Sequence, residues 1–333
     1  MELLSEKENN ESYIFGHMLK QKDTSDFIHT MIKEADDHEM RNHWKVVHRS
    51  DKTPGVKTIL SIWYLRRKRF PDGRINKHKA RLCAHGGIQQ YGVNYWEIYS
   101  STMNWISVQF LMIFAQIFKL DTKAIGFVLA FTQDDLDFPV YMDLPAGMYL
   151  AGHGKDSSKY LLKLKKYFYG LITTYLNWRN KLKDAFEDRF FVESLSDPCV
   201  FISKKMIILL YVDDCILISK EGFTIKKFID SMKDSPEGLA FTEEGTIHSY
   251  LGVYIPTFPD EKGFTFSQTF YIYRIVQALG FDPKTTKGAT HNTLSGYLLL
   301  NKDENGPARK ASWKYRAIIG MLGFFKEQHV LIF

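Results

Sequence analysis

Two adjacent aspartates, Asp213 and Asp214, stand between two apolar runs, Met206-Ile-Ile-Leu-Leu-Tyr-Val212 before them and Cys215-Ile-Leu-Ile-Ser219 after. Short apolar, β-branched runs on either side of a two-residue polar break predict a buried β-hairpin with the aspartates at its turn. Two carboxylates at the tip of a buried hairpin repel each other unless a cation lies beside them. A hard divalent ion, Mg2+ or in its place Mn2+, fits that need, because it takes carboxylate oxygens and keeps room for substrate phosphates. The plainer reading is a solvated turn, a role aspartate fills well, and for an isolated Asp-Asp pair it is the commoner one.

A second group of residues suits phosphate. Arg66-Arg-Lys-Arg69 and Lys77-His-Lys79-Ala-Arg81 flank Pro71-Asp72-Gly73. That tripeptide predicts a turn, since proline presets φ, aspartate bonds its own backbone and glycine tolerates φ > 0. The two basic segments then form one hairpin, suited either to a nucleic-acid backbone or to a nucleoside triphosphate. The bland counterpart is an edge hairpin whose charges block aggregation. His85-Gly-Gly-Ile-Gln-Gln-Tyr-Gly is a glycine-bearing loop that matches neither the dinucleotide fingerprint nor the phosphate-binding loop.

The elements that must position these groups follow from periodicity. Apolar residues at Trp105, Val108, Leu111, Met112, Ala115 and Phe118 predict a helix, as do Trp178, Leu182, Ala185, Phe186 and Phe190, the latter broken by Ser196-Asp-Pro198. Further helices are predicted around Ile225–Met232 and Ile272–Leu279, with strands at 44–48, 56–65, 124–131, 199–202, 241–245, 250–255 and 264–267; lysines interleave with apolar residues over 155–166. Residues 1–42 are polar, with one short amphipathic helix at Phe27, Met31 and Ile32, and read as a tail or leading helix without chemistry. Hydrophobic content of 45% with 25% charged residues describes a globular chain, and a net charge of +6 is compatible with a polyanionic partner without demanding one. Three cysteines far apart, Cys83, Cys199 and Cys215, argue against a disulfide framework or zinc site. No apolar run is long enough for a membrane span and the start lacks a signal-peptide core, so a soluble intracellular protein is expected.

Taken in order, several stretches resemble the reverse transcriptase domain of Ty1/copia-type retrotransposons. They are Lys79-Ala-Arg81-Leu, Gly92-Val-Asn-Tyr-Trp-Glu, Ala130-Phe131, Val140-Tyr-Met, Pro145-Ala-Gly147, Tyr169-Gly-Leu171, Trp178 and Ser196-Asp-Pro-Cys-Val-Phe201. Tyr211-Val-Asp-Asp214, Tyr250-Leu-Gly252, Ser267-Gln268 and Tyr315-Arg316 continue the series, which is collinear over roughly residues 44–322. The resemblance implies an α+β, right-hand polymerase: fingers and a palm with an antiparallel sheet over residues 43–230, then palm end and a thumb-like region over 231–300. Residues 301–333 would be a truncated connection, with the ribonuclease H domain absent. It implies an RNA template, a DNA primer and deoxynucleoside triphosphates as partners, no membrane, and Mg2+ (or Mn2+) as cofactor for two-metal nucleotidyl transfer onto a primer 3′-hydroxyl. Asp213 and Asp214 then match the paired metal-holding aspartates. Lys79 and Arg81 match the basic fingers segment near the nucleotide phosphates, and Tyr250, Leu251 and Gly252 the primer-strand support. A cytoplasmic particle and the nucleus are both compatible locations.

The chain departs from that pattern at one chemical position. The family carries a third aspartate four residues before the Ala-Phe pair, and here that residue is Gly126. Asp121, Asp134 and Asp135 lie five or more residues away, about 15 Å along a strand at ~3.3 Å per residue. Ile172, Thr173, Leu176 and Gln109 also stand where the family commonly has polar or basic residues. The expectation is a degenerate copy, inactive or severely impaired as a polymerase. A non-catalytic nucleic-acid binder is the main alternative, and a primer-independent nucleotide cyclase a remoter one.

Overall fold

The computed structural model describes residues 12–69, 74–92, 95–148, 156–234, 238–245, 247, 249–250, 253–255, 263, 265–280 and 313–327. The chain divides into two compact units, Met1–Thr246 and Ile247–Phe333. The first begins with β1 (Ser12–Tyr13), α1 (Phe15–Met18) and α2 (Thr24–Met40). Next come β2 (Trp44–His48), β3 (Thr58–Ile59) and two long strands, β4 (Ser61–Arg69) and β5 (Ile75–Ala84). After α3 (Trp105–Ile117) follow β6 (Asp121–Phe127), β7 (Asp135–Asp143), β8 (Tyr160–Lys166) and α4 (Thr174–Glu187). The unit closes with β9 (Val192–Glu193), β10 (Val200–Ile202), β11 (Met206–Tyr211), β12 (Asp214–Ser219), α5 (Gly222–Lys233) and β13 (Phe241–Gly245). The fold is thus a mixture of helices and several mainly antiparallel sheets.

Two cores organise this unit. The first lies between the three-stranded sheet β1-β4-β5, the four-stranded sheet β2-β8-β7-β3 and α2. Alternation explains it: Trp63, Leu65, Ala80 and Leu82 all point to one face of the β4–β5 ribbon and meet Phe27 and Met31 of α2. The Pro71-Asp72-Gly73 turn itself falls outside the described residues. The second core lies on one face of the six-stranded sheet β13-β6-β12-β11-β10-β9, covered by α4 and α5. Ile125 and Phe127 of β6, Ile208 and Leu210 of β11, and Cys215 and Leu217 of β12 face these helices. Gly126 pairs directly with Asp214, so both lie on the opposite face.

Several expectations are corrected. The hairpin turn is Val212-Asp213, because Tyr211 pairs with Asp214 and the latter opens β12. Helix α4 ends at Glu187; Phe190 lies beyond it at φ 64 and is exposed, and Phe191 takes the core place instead. Ser196-Asp-Pro198 is therefore no helix breaker. Asp197 is buried and accepts hydrogen bonds from Asn104 N–H (3.0 Å) and Ser107 Oγ–H (2.5 Å), tying down the start of α3. The helix near Phe27 is 17 residues long, with Ala35 and His38 buried beside Phe27 and Met31.

In the second unit β14 (Ser249–Tyr250) pairs with β15 (Val253–Tyr254), so the single strand expected over 250–255 is two. Two helices complete its described part, α6 (Thr269–Ala278) and α7 (Tyr315–Glu327). Among the described residues no helix is long and apolar enough to cross a membrane.

One buried pair makes the first core sensitive to acid. His38 and His43 are almost fully buried, with their Nδ1 atoms 2.7 Å apart. Burial, then the charge of His38, pushes His43 down from 6.5 to about 3. The unfolded chain therefore takes up a proton that the folded chain refuses, and stability falls as pH drops below about 6.5. We expect a loss of about 1 kcal/mol between about pH 7 and pH 5.5, measured by urea unfolding, and a flatter profile for His43→Gln.

Candidate active site

The carboxylate hairpin is strained at its tip. Val212 adopts φ 53, a left-handed conformation that a β-branched residue avoids at a cost of about 1–3 kcal/mol. Two hydrogen bonds hold the turn there. The indole of Trp178, itself buried in the second core, donates Nε1–H to Val212 O at 2.8 Å, and Phe127 N–H donates to Asp213 O at 2.7 Å. The left-handed residue turns the chain so that Asp213 leaves the tip while Asp214 begins the next strand.

Both carboxyls are unusually basic. Burial raises Asp213, opposed by the nearby charges of Arg81 and Lys79. Its Oδ1 is buried with no hydrogen-bond partner among the described residues. Asp214 is pushed up to about 6, first by burial, then by the negative charges of Glu244 and Asp213, against Lys68. An orphaned buried oxygen next to a second disfavoured carboxylate is what a cation would relieve. The donor set is all oxygen, the chemistry a hard divalent ion takes. Among the described residues, no three His, Cys, Asp or Glu side chains already converge as a metal-ligand group. Any ion held by Asp213 and Asp214 has to draw a further ligand inward.

Gly126 lies beside this pair. A Cβ built on it would stand 3.4 Å from Asp214 Oδ1 and 3.0 Å from Glu244 Oε1. The other aspartates weighed from sequence are engaged elsewhere. Asp121 opposes Ser219 at the far end of the β6–β12 pairing. Asp134 meets Lys181 at 3.4 Å, and Asp135 meets Lys166 at 2.7 Å.

The β4–β5 ribbon supplies the opposite charge. Arg66 pairs with Lys79, Lys68 with Lys77, and Tyr64 with Arg81, so by the two-residue period Arg66, Lys68, Lys77, Lys79 and Arg81 share one face. Arg67 points the other way and is tied to Asp23, with Nε–H donating to Oδ2 at 2.7 Å. Lys79 is pushed down to about 8, by burial first and then by Arg81 and Lys68. Crowded, partly dehydrated cations of this kind gain by meeting an anion. The guanidinium of Arg81 lies over the Tyr169 ring, 3.9 Å from its centroid, which orients the fork. The charges of Lys79 and Arg81 thus reach Asp213, and that of Lys68 reaches Asp214. Lys68 had a legible signal, since it falls on the same alternation as Lys77 and Lys79. Glu244 had none, because its place depends on which strand flanks β6. Tyr250 is buried in the second unit, and Leu251 and Gly252 lie outside the described residues.

Comparison with known proteins shows the family. Residues 41–291 match the family described as reverse transcriptase (RNA-dependent DNA polymerase). The chain is 25% identical over 305 residues to the Retrovirus-related Pol polyprotein from transposon TNT 1-94 of Nicotiana tabacum, covering 90% of this chain and 22% of that protein. It is 26% identical over 278 residues to the corresponding polyprotein from transposon RE2 of Arabidopsis thaliana, covering 81% and 18%. It is also 29% identical over 231 residues to the Transposon Ty1-DR5 Gag-Pol polyprotein of Saccharomyces cerevisiae, covering 67% and 12%. The chain spans less than a quarter of these relatives' length. On the family match and these relatives together, the chain belongs to the reverse transcriptase (RNA-dependent DNA polymerase) family, in the branch carried by copia-type retrotransposon Pol polyproteins.

Proposed function

We propose that the chain is an RNA-directed DNA polymerase domain that extends a DNA primer on an RNA template with deoxynucleoside triphosphates, at a rate lowered by Gly126. The observation that carries this reading is the pair Asp213–Asp214, held at a strained hairpin tip and faced by the cationic side of the β4–β5 ribbon. In this reading the ribbon belongs to the fingers, the six-stranded sheet is the palm of a right-hand polymerase, and the second unit holds the thumb-like region.

Asp213 and Asp214 would hold Mg2+ or Mn2+, which when bound supplies charge neutralisation at the attacking and leaving oxygens of a phosphoryl transfer. The rest falls to the chain's own side chains. Lys79 and Arg81, with Lys68, bind and orient the triphosphate, Arg81 through its paired donors and the lysines as point charges. Trp178 and Phe127 keep the Asp213 turn in one conformation, so that both carboxylates are positioned before substrate arrives. Tyr250, Leu251 and Gly252 are assigned to support of the primer strand by their motif. Gly126 leaves β6 without a carboxylate beside Asp214, which lowers turnover without touching the phosphate-binding side.

The test is primer extension on an RNA template with Mg2+. Asp213→Asn should reduce the rate by about 1000-fold or more, equivalent to several kcal/mol of transition-state stabilisation. Binding of the same template–primer should change little in that variant and should weaken with salt. A native chain that binds template–primer but extends no primer at any Mg2+ concentration leaves the second reading, a non-catalytic nucleic-acid binder. Its supporting observation is the cationic ribbon, which is independent of Gly126.

A further inference from the structure

Strand β13 pairs with β6 with a break in register: Thr242 opposes Gly126, Glu243 opposes Ile125, and Gly245 opposes Ala124. Glu244 is the extra residue of this bulge. Bulges re-aim a side chain next to a site, and here the two neighbouring glutamates are sent to different surroundings. Glu243 is neutralised, bonded by Lys123 and, at 2.7 Å, by Lys233. Glu244 has no cation partner among the described residues. Its Oε1 stands over Gly126, 3.0 Å from where a Cβ would be, and Asp214 Oδ1 stands 3.4 Å from the same point. The absence of a side chain at Gly126 is what leaves that space to the Glu244 carboxylate.

We propose that Glu244 is the third metal-ligating carboxylate of this chain, reaching across Gly126 from the neighbouring strand to the ion held by Asp213 and Asp214. This rests on the reading of Asp213 and Asp214 as metal holders. The chemistry is that of a hard divalent ion, for which the carboxylate matters and the strand that supplies it does not. A glutamate arm is longer than an aspartate by one methylene and flexible, so it can span from the edge strand β13 to the space beside the neighbouring strand β6.

Mn2+ titration of the full chain, followed by calorimetry and by the loss of the free-ion paramagnetic signal, tests the proposal without reference to turnover. Glu244→Gln should weaken Mn2+ by about 10- to 100-fold, since even outer-shell partners of metal ligands are worth that much. Glu243→Gln, one residue away, should leave the affinity nearly unchanged. Without metal, Glu244→Gln should unfold at the same temperature as the native chain or a higher one, because it removes a negative charge from beside Asp214. If Glu244→Gln binds Mn2+ as the native chain does while Asp213→Asn and Asp214→Asn do not bind it, the proposal is overturned and the metal reading of the aspartate pair stands. If the aspartate variants keep native affinity, or the native chain binds no Mn2+, both fall together. Lost binding accompanied by a lower metal-free unfolding temperature would assign Glu244 a structural role and also overturn it.

Discussion

Gly126→Asp combined with Glu244→Gln should extend a primer about 100-fold faster than the native chain, and Gly126→Asp alone should gain less. An aspartate at 126 would spring from the strand that pairs directly with Asp214, on the same face, whereas Glu244 arrives from a bulge one strand further out. A ligand displaced by about 1 Å from the productive geometry is enough to cost roughly 10²-fold in rate, so an ion held partly by Glu244 is held less well than one held by an aspartate on β6. The single variant meets an obstacle. The new Cβ would stand 3.0 Å from Glu244 Oε1, tighter than ordinary contact, and its carboxylate would add a further negative charge beside Asp214, already pushed up to about 6. The obstructing atom is the far end of a flexible side chain, so it can swing aside, but only by giving up the place it holds. Removing its charge as well takes away the repulsion, and an amide with no claim on the ion swings aside more readily. Single-turnover extension on an RNA template in Mg2+ reads the three chains side by side. Equal rates for native and doubly substituted chains would mean that Glu244 already serves as well as an aspartate. No extension by any of them would place the defect at the drifted positions Gln109, Ile172, Thr173 and Leu176.

The sequence carried the polar chemistry of this site further than its geometry. The apolar runs at 206–212 and 215–219 predicted the hairpin because β-branched residues around a short polar break have few other solutions. The basic ribbon was legible from the Pro71-Asp72-Gly73 turn between two cationic segments, and a period of two tells Lys68 from Arg67. What the one-dimensional pattern lacks is strand adjacency. Glu243 and Glu244 are consecutive, yet one is fixed by Lys123 and Lys233 and the other faces Asp214, and only the β13–β6 bulge separates those fates. Val212 was hidden for a different reason. Nothing in a valine announces a left-handed conformation, and it persists here because Trp178 donates to the Val212 carbonyl and Phe127 N–H to that of Asp213. Phe190 shows the limit of periodicity, since it falls on the helical stripe of α4 but lies three residues past the helix end, where Phe191 turns inward instead.

Gly170→Ala should destabilise the first unit by more than about 4 kcal/mol, a large share of the ~5–15 kcal/mol available to a folded domain. Two independent terms act there. Gly170 has φ 89, a conformation that L side chains rarely adopt, and that alone costs about 1–3 kcal/mol. In addition, a Cβ on Gly170 would lie 2.1 Å from the carbonyl oxygen of Ala84, and a Cβ on Gly86 would lie 2.1 Å from the carbonyl oxygen of Gly170. Those neighbours are backbone and cannot rotate away. They are also bonded in place, since Ala84 N–H donates to Tyr169 O at 2.7 Å. Two stretches of chain that the sequence shows only as Tyr-Gly-Leu and His-Gly-Gly therefore pack backbone to backbone, joining the end of β5 to the segment that precedes α4. This contact sets the cationic ribbon against the carboxylate sheet, because Arg81 of β5 stacks on Tyr169 at the same junction. Gly55→Ala is the control: it has φ 80 with nothing within 4 Å of its Cβ position, so it carries the conformational cost without the clash and should lose only about 1–2 kcal/mol. Urea unfolding of both variants separates the terms. If the two lose the same amount, the backbone at Ala84 yields, and the ribbon is not held to the carboxylate sheet at this point.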